Sequence, residues 1–153
     1  MAQIDEIYNT GLFELSAVIP RTERLKAPHA TATAHSKLCG STVAIDLNVD
    51  DGRVTDYGQT VKACLLGQAA ASVMGREIVG STEAELRQVS GQMRRMLKEN
   101  GPPPAGRWAD LGLLEPVRGY KARHASTLLV FDAVERALDD IRSKRNPSND
   151  MAG

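Results

Sequence analysis

The sequence predicts an α+β fold: a small antiparallel sheet with helices packed on one face, in a single domain. Three observations predict it. Two stretches whose apolar residues recur at every second position stand next to one another, and a turn-forming Asp50-Asp51-Gly52 follows them. The helical patterns flank this run of strands instead of alternating with each strand. A chain of 153 residues is also long enough to bury a core without disulfide staples.

In chain order, Ile4, Ile7, Tyr8, Leu12 and Leu15 recur at helical spacing, which predicts a first helix ending before Pro20. The link from Pro20 to Pro28 is polar and basic. Ala30, Ala32 and Ala34 then alternate with Thr31, Thr33 and His35. Val43, Ile45, Leu47 and Val49 alternate with Thr42, Ala44, Asp46 and Asn48, so both stretches read as half-buried strands. Gly52 tolerates positive φ, and a third strand from about Arg53 is expected to pair back as a hairpin.

The Ala-rich stretch opened by Cys64 is expected to be helical to about Met74. Thr82 and Glu85 have capping-box spacing ahead of Leu86, Val89, Met93, Met96 and Leu97, and Asn100-Gly101 with three prolines ends that helix. Pro102 to Tyr120 has no regular period and reads as an ordered insertion anchored by Trp108, Leu111, Leu113 and Leu114. From about Ala125, Val130, Val134, Ala137, Leu138 and Ile141 form one apolar stripe, with Asp132, Glu135, Arg136 and Asp139 elsewhere around the helix. The domain is thus residues 1–142, and 143–153 read as a polar, frayed tail. Arg94, Arg95 and Lys98 read as a solvated helix face, as do Arg142, Lys144 and Arg145.

Composition excludes some functions. Lys plus Arg and Asp plus Glu number 19 each, so no net field draws the chain to nucleic acid or to an anionic membrane, and partners are expected to be recognised by local patches. The least polar stretch, Cys64 to Gly75, is too short to span a bilayer. The N-terminus shows no export signal, which points to the cytoplasm, where thiols stay reduced. A Gly75 to Thr82 stretch that looks like a phosphate loop lacks the required Lys.

Cys39 and Cys64 are the two cysteines. By themselves they leave three readings open: two inert buried thiols, one bridge between them, or a shared site. His29 and His35 read as loop and strand-face residues.

The segments Lys37-Leu38-Cys39-Gly40-Ser41, Cys64 with its following Ala-Ser run, and His124-Ala125-Ser126-Thr127-Leu128 resemble the U-type iron-sulfur cluster assembly scaffolds, the family of IscU, SufU and the N-terminal domain of NifU. Ile19-Pro20-Arg21, Ala27-Pro28, Asp51-Gly52-Arg53-Val54 and Gly80-Ser81 extend the resemblance over about residues 4 to 142. It implies a SufE/NifU-like architecture. The long insertion before His124 is similar to the SufU branch, and Arg118-Gly119-Tyr120-Lys121-Ala122-Arg123 replaces the chaperone-recognition motif of IscU-type proteins. Two family ligand positions are altered: the Asp position is Ser41, and the third Cys position is Ala125.

The resemblance implies that Cys39 and Cys64 share a site for iron or an iron-sulfur cluster, or alternatively for zinc. Cys64, at a helix start, is the expected nucleophile. His124 is the candidate third ligand, with a fourth place open to water, His35 or a partner's residue. Three functions follow as expectations. One is a non-enzymatic scaffold that receives sulfur from a cysteine desulfurase and serves acceptor apo-proteins, with a homodimer supplying four thiolates. The second is a zinc-dependent sulfur acceptor. The third is a docking or regulatory module of the assembly machinery without a cluster of its own.

Overall fold

The computed structural model describes residues 10–37 and 40–145. Ile4, Ile7 and Tyr8 of the expected first helix, Cys39, the side chain of Arg145 and the tail from Asn146 lie outside them. The order is α1 (Thr10–Ala17), β1 (Ala30–Ser36), β2 (Ser41–Asp50), β3 (Arg53–Lys62), α2 (Leu65–Glu77), α3 (Glu83–Lys98), a 3₁₀ segment (Gly106–Gly119), a 3₁₀ turn (Lys121–Arg123) and α4 (His124–Arg145). This is the expected α+β arrangement.

The sheet is antiparallel in the order β1-β2-β3. Asp51 and Gly52, at φ 53 and 77, make a two-residue loop with both residues left-handed, the turn whose twist matches paired strands. The register places Ala34 opposite Val43 and Leu47 opposite Tyr57. One face therefore gathers Ala34, Val43, Ile45, Leu47 and Tyr57, all buried, under α2 and α4.

The basic link covers part of the other face. It pairs with the free edge of β3 through a bond from Gln59 N to Arg21 O (2.9 Å), then crosses the outer face over Gly58. A Cβ on Gly58 would lie 2.4 Å from the Glu23 carbonyl oxygen, so only glycine admits the link there. Arg24 then grips the buried Asp46 with Nε at 2.6 Å and Nη2 at 2.8 Å. Leu25 N (2.9 Å) and Thr31 Oγ1 (2.7 Å) donate to the same carboxylate. Pairing and coverage blunt an edge that would otherwise be open to foreign strands.

Helix α3 starts as its sequence predicts: Thr82 Oγ1 accepts from Glu85 N at 3.1 Å. The reciprocal half of the capping box is diverted, because Glu85 Oε2 accepts from Trp108 Nε1 (2.8 Å) and Arg107 (2.6 Å). The insertion is 3₁₀ over Gly106–Gly119 and buries Trp108, Leu111, Leu114 and Val117. Spacing of three suits a helix with three residues per turn. Leu113, expected as an anchor, is only partly buried, and Val117 takes the place it was assigned.

Helix α4 is buried nearly all round over Ser126–Phe131, a broader contact than one stripe. It also runs past Ser143, where the tail was expected to begin, and Lys144 Nζ donates to His29 O at 2.9 Å. The cations read as solvated differ in fate. Arg94 pairs with Asp132 at 2.8 Å and with Glu135, Arg142 pairs with Glu83, and Arg87 joins Glu83 and Asp139. These pairs zip α3 to α4, whereas Arg95 and Lys98 are exposed. Among the described residues, no helix is long and apolar enough to cross a membrane.

Candidate functional site

Cys64 caps the N-terminus of α2 in an extended conformation (φ −67, ψ 172). β3 ends at Lys62, and the chain turns into the helix at Cys64, where Gln68 N donates to Cys64 O at 2.9 Å as the first helical bond. The thiol is free and half-buried. Its Sγ lies 3.0 Å from Ser126 Oγ, and Ser126 Oγ lies 3.3 Å from Ser41 Oγ. A thiol and two buried hydroxyls therefore form one chain across α2, α4 and β2.

Local packing brings them together. Ser41 opens β2 in phase with Val43, Ile45 and Leu47, so it faces the helices, and Ser126 lies one turn before Val130 on the apolar stripe of α4. Gly67 lets the two helices close: a Cβ there would sit 2.8 Å from Ala63 Cβ and 3.1 Å from Ser126 O. Ser36 is paired with Ser41 in the register and buried on the same face, and its hydroxyl has no hydrogen-bond partner among the described residues. Sequence reasoning missed Ser126 and Ser36. The available signal was phase, since each is a small polar residue at a position whose neighbours along the strand or stripe are apolar.

The other candidates are placed as follows. Ser41, at the family's Asp position, is at the site as a hydroxyl. Ala125 is exposed and borders an open cleft with Leu97, Lys98, Arg118, Lys121 and His124. His124 is buried, and its Nε2 contacts the carbonyl oxygens of Val117 (3.1 Å) and Arg118 (3.2 Å). Two carbonyl partners require that nitrogen to carry a proton, so it fastens the end of the insertion and is not offered as a lone pair. His35, opposite Thr42 and exposed, is on the other face of the sheet from Ser41. His29 Nδ1 accepts from Val49 N at 3.0 Å. Cys39 lies outside the described residues.

Among the described residues, no three of His, Cys, Asp and Glu gather as a metal-binding group. Among the described residues, the donor set at this end is one thiol with two hydroxyls, and a hydroxyl is a poor ligand for soft metal chemistry. By themselves these residues do not make a closed zinc or cluster site.

No protein-family model matches the chain. The scaffold protein IscU of Thermotoga maritima is 28% identical over 104 residues, 67% of this chain and 72% of that protein. A solved SUF-system iron-sulfur cluster assembly scaffold protein of Fervidobacterium islandicum superposes with a TM-score of 0.79 over 86% of this chain and 96% of that one. At 20% identity, that likeness speaks for the fold alone. The N-terminal NifU-like protein of Brucella abortus is 55% identical, covers 94% of this chain and 99% of its own, and superposes with a TM-score of 0.91. That identity, sustained over nearly all of both chains, means that this chain belongs to the U-type iron-sulfur cluster assembly scaffold family.

Proposed function

We propose that the protein acts in iron-sulfur cluster assembly as a non-enzymatic, scaffold-type carrier in the cytoplasm, with Cys64 and Cys39 as its sulfur ligands. The supporting observation is the placement of Cys64: a half-exposed thiol at a helix start, at the end of the sheet where Ser41 and Ser126 converge, in a chain of this family. The cluster is cargo. Four thiolates suit a cluster and one chain has two cysteines, so two chains related by a two-fold axis would complete the set.

A second reading, acceptance of sulfur from a cysteine desulfurase, is favoured by the hydroxyl partner of Cys64. In that step the Cys64 thiolate attacks the outer sulfur of a donor persulfide, R–S–SH. The donor S–S bond breaks, its electron pair leaves on R–S⁻, and Cys64 keeps the outer sulfur and its proton as Cys64–S–SH. Ser126 is placed to hold the attacking sulfur by a hydrogen bond, with no metal required.

The test is anaerobic purification followed by iron, sulfide and zinc analysis per chain, for the parent and Cys64→Ala in parallel. Iron with matching sulfide, lost in the variant, supports the scaffold reading. Zinc alone, likewise lost, would return the site to zinc-held sulfur transfer. Absence of metal in both after reconstitution, together with persulfide on Cys64 in the presence of a desulfurase, supports the sulfur-acceptor reading. Neither metal nor persulfide would leave a docking module and sink both.

A further inference from the structure

The chain is neutral as a whole, but its charge is segregated around Cys64. The described segments beside this thiol (36–37, 41–45, 59–67 and 116–127) hold Lys37, Lys62, Arg118, Lys121 and Arg123 and no Asp or Glu, the acids nearest to them in sequence being Asp46, Asp56 and Glu115. The structure makes this a surface property. Lys37, Lys62 and Lys121 are exposed, Lys62 is two residues from Cys64, and Lys121 and Arg123 shortly precede Ala125, whose neighbour Ser126 touches the Cys64 sulfur.

Beside this end lies an open cleft of about 610 Å³, lined by Leu97, Lys98, Arg118, Lys121, His124 and Ala125. Arg118 has a counter-charge, Glu115 at 2.8 Å. Neither Lys98 nor Lys121 has a carboxylate partner among the described residues. On the seam between α3 and α4, by contrast, Arg87, Arg94 and Arg142 are all paired with carboxylates. Glu115, paired with Arg118, and Glu99, next to Lys98 in sequence, are the acids that border the cleft, whereas the Asp50-Asp51 turn lies at the opposite end of β2.

We infer that the Cys64 end of the molecule is a docking face for a carboxylate-rich segment of a partner protein, seated in the Lys98–Lys121 cleft and lying past Ala125. This deepens the proposed function, because it rests on Cys64 being the working end, and it names the chemistry by which the partner is recognised. Charge complementarity accelerates encounter and fixes orientation more than it adds affinity, and the cluster of one sign gives a directional field that the chain's net charge conceals. The apolar floor of the cleft, Leu97 with the Ala125 methyl, fits a segment in which acidic and aliphatic side chains alternate.

The test needs neither iron, sulfide nor a desulfurase, so its failure is separable from failure of the cluster reading. The probe is the synthetic peptide acetyl-Glu-Leu-Glu-Leu-Glu-Leu-Glu-Leu-amide, titrated into ¹⁵N-labelled full chain, with the corresponding Lys-Leu peptide as control. Shifts are expected at the amides of Lys62, Lys98, Lys121 and Ala125 with the acidic peptide alone, fading as salt rises from about 50 to about 200 mM. Lys62→Glu/Lys121→Glu, both at exposed positions, is expected to weaken binding at least about tenfold. Lys144→Glu, beside the Asp50-Asp51 end, should leave it unchanged. Shifts scattered over the whole surface, equal binding of the Lys-Leu peptide, unaltered affinity in the double variant, or no binding of the acidic peptide at low salt would each overturn the inference.

Discussion

The sulfur of Cys64 and the hydroxyl of Ser126 lie 3.0 Å apart, joining the N-terminus of α2 to the first turn of α4. A thiolate can only accept, so whenever Cys64 is ionised Ser126 must donate to it, and Ser126 can then accept from Ser41. The state of one sulfur thus orients a chain of hydroxyls reaching into β2. In relatives with the full ligand set, as the family resemblance implies, position 41 is an acid and position 125 a cysteine. Here a neutral hydrogen-bonded floor takes up the space under the thiol.

Gly67 controls that contact. Gly67→Ala would force its new methyl against Ala63 and the Ser126 carbonyl, and both helices must move apart. A stability loss of about 1 to 3 kcal/mol in urea unfolding is expected, as for overpacking. Gly91→Ala is the control, because its methyl would meet only the end of the Arg95 side chain and alanine favours helix by about 0.5 to 1 kcal/mol. Equal behaviour of the two variants would refute a tight α2–α4 approach at Gly67.

Supplying the family's two altered ligands should raise zinc affinity above the parent's. Ser41→Asp alone places a carboxylate at a buried position whose hydrogen-bond partner is the Ser126 hydroxyl. In metal-free protein this should cost about 1 to 3 kcal/mol. Ser41→Asp/Ala125→Cys should then bind zinc tightly and regain stability when zinc is added, through ligand linkage. Elemental analysis with melting curves decides it, and a double variant that takes up no more zinc than the parent would mean that the site geometry has moved away from the family's.

How legible the molecule was in its sequence depended on whether one period governed each segment. Strands β1 to β3, the Asp51-Gly52 turn and the Thr82 cap could be read because local rules and tertiary packing agree there. Leu113 was expected as an anchor where Val117 is the buried residue, because no helical or strand period reveals a 3₁₀ stripe of period three. Arg94 and Arg142 were read as solvated because nothing local says that α4 will present acids to α3. Cys64 and Ser41 were singled out through the family resemblance, and the structure brings their side chains to one hydroxyl, that of Ser126. Ser126 was not, since a serine at a core phase has no meaning until its partner across the fold is known.

Asp46 should make stability depend on acid. The Arg24 guanidinium fork holds its carboxyl below the usual range; burial works against ionisation, and bonds from Thr31 and Leu25 N assist it. Because the folded value is the lower one, the stabilisation is fully present above the ordinary carboxylate value of about 4 and is lost as pH falls through the folded value. Asp46→Asn should lower stability at neutral pH by about 2 to 4 kcal/mol, the lower part of this range being expected because Arg24 is partly solvated. It should also flatten the acid limb of a stability-pH curve. An acid limb identical to the parent's would assign that dependence to other carboxylates.

The 3₁₀ segment makes a ranking that runs against side-chain size. Val117 is fully buried on the period-three stripe with Trp108, Leu111 and Leu114, whereas Leu113 stands off it, partly exposed. Val117→Ala removes buried methyl groups and leaves a cavity, costing about 1 to 3 kcal/mol. Leu113→Ala removes a larger side chain whose surface is already partly in water, and should cost less, about 1 kcal/mol or below. Trp108→Phe keeps most of the packing and loses the bond to Glu85, for about 1 kcal/mol or somewhat more because the acceptor is charged. Urea unfolding of the three variants checks the order. A Leu113→Ala loss exceeding that of Val117→Ala would mean that the insertion packs with the irregular anchoring first expected from its sequence, and that the carbonyls of Val117 and Arg118 which hold His124 are positioned by something other than this stripe.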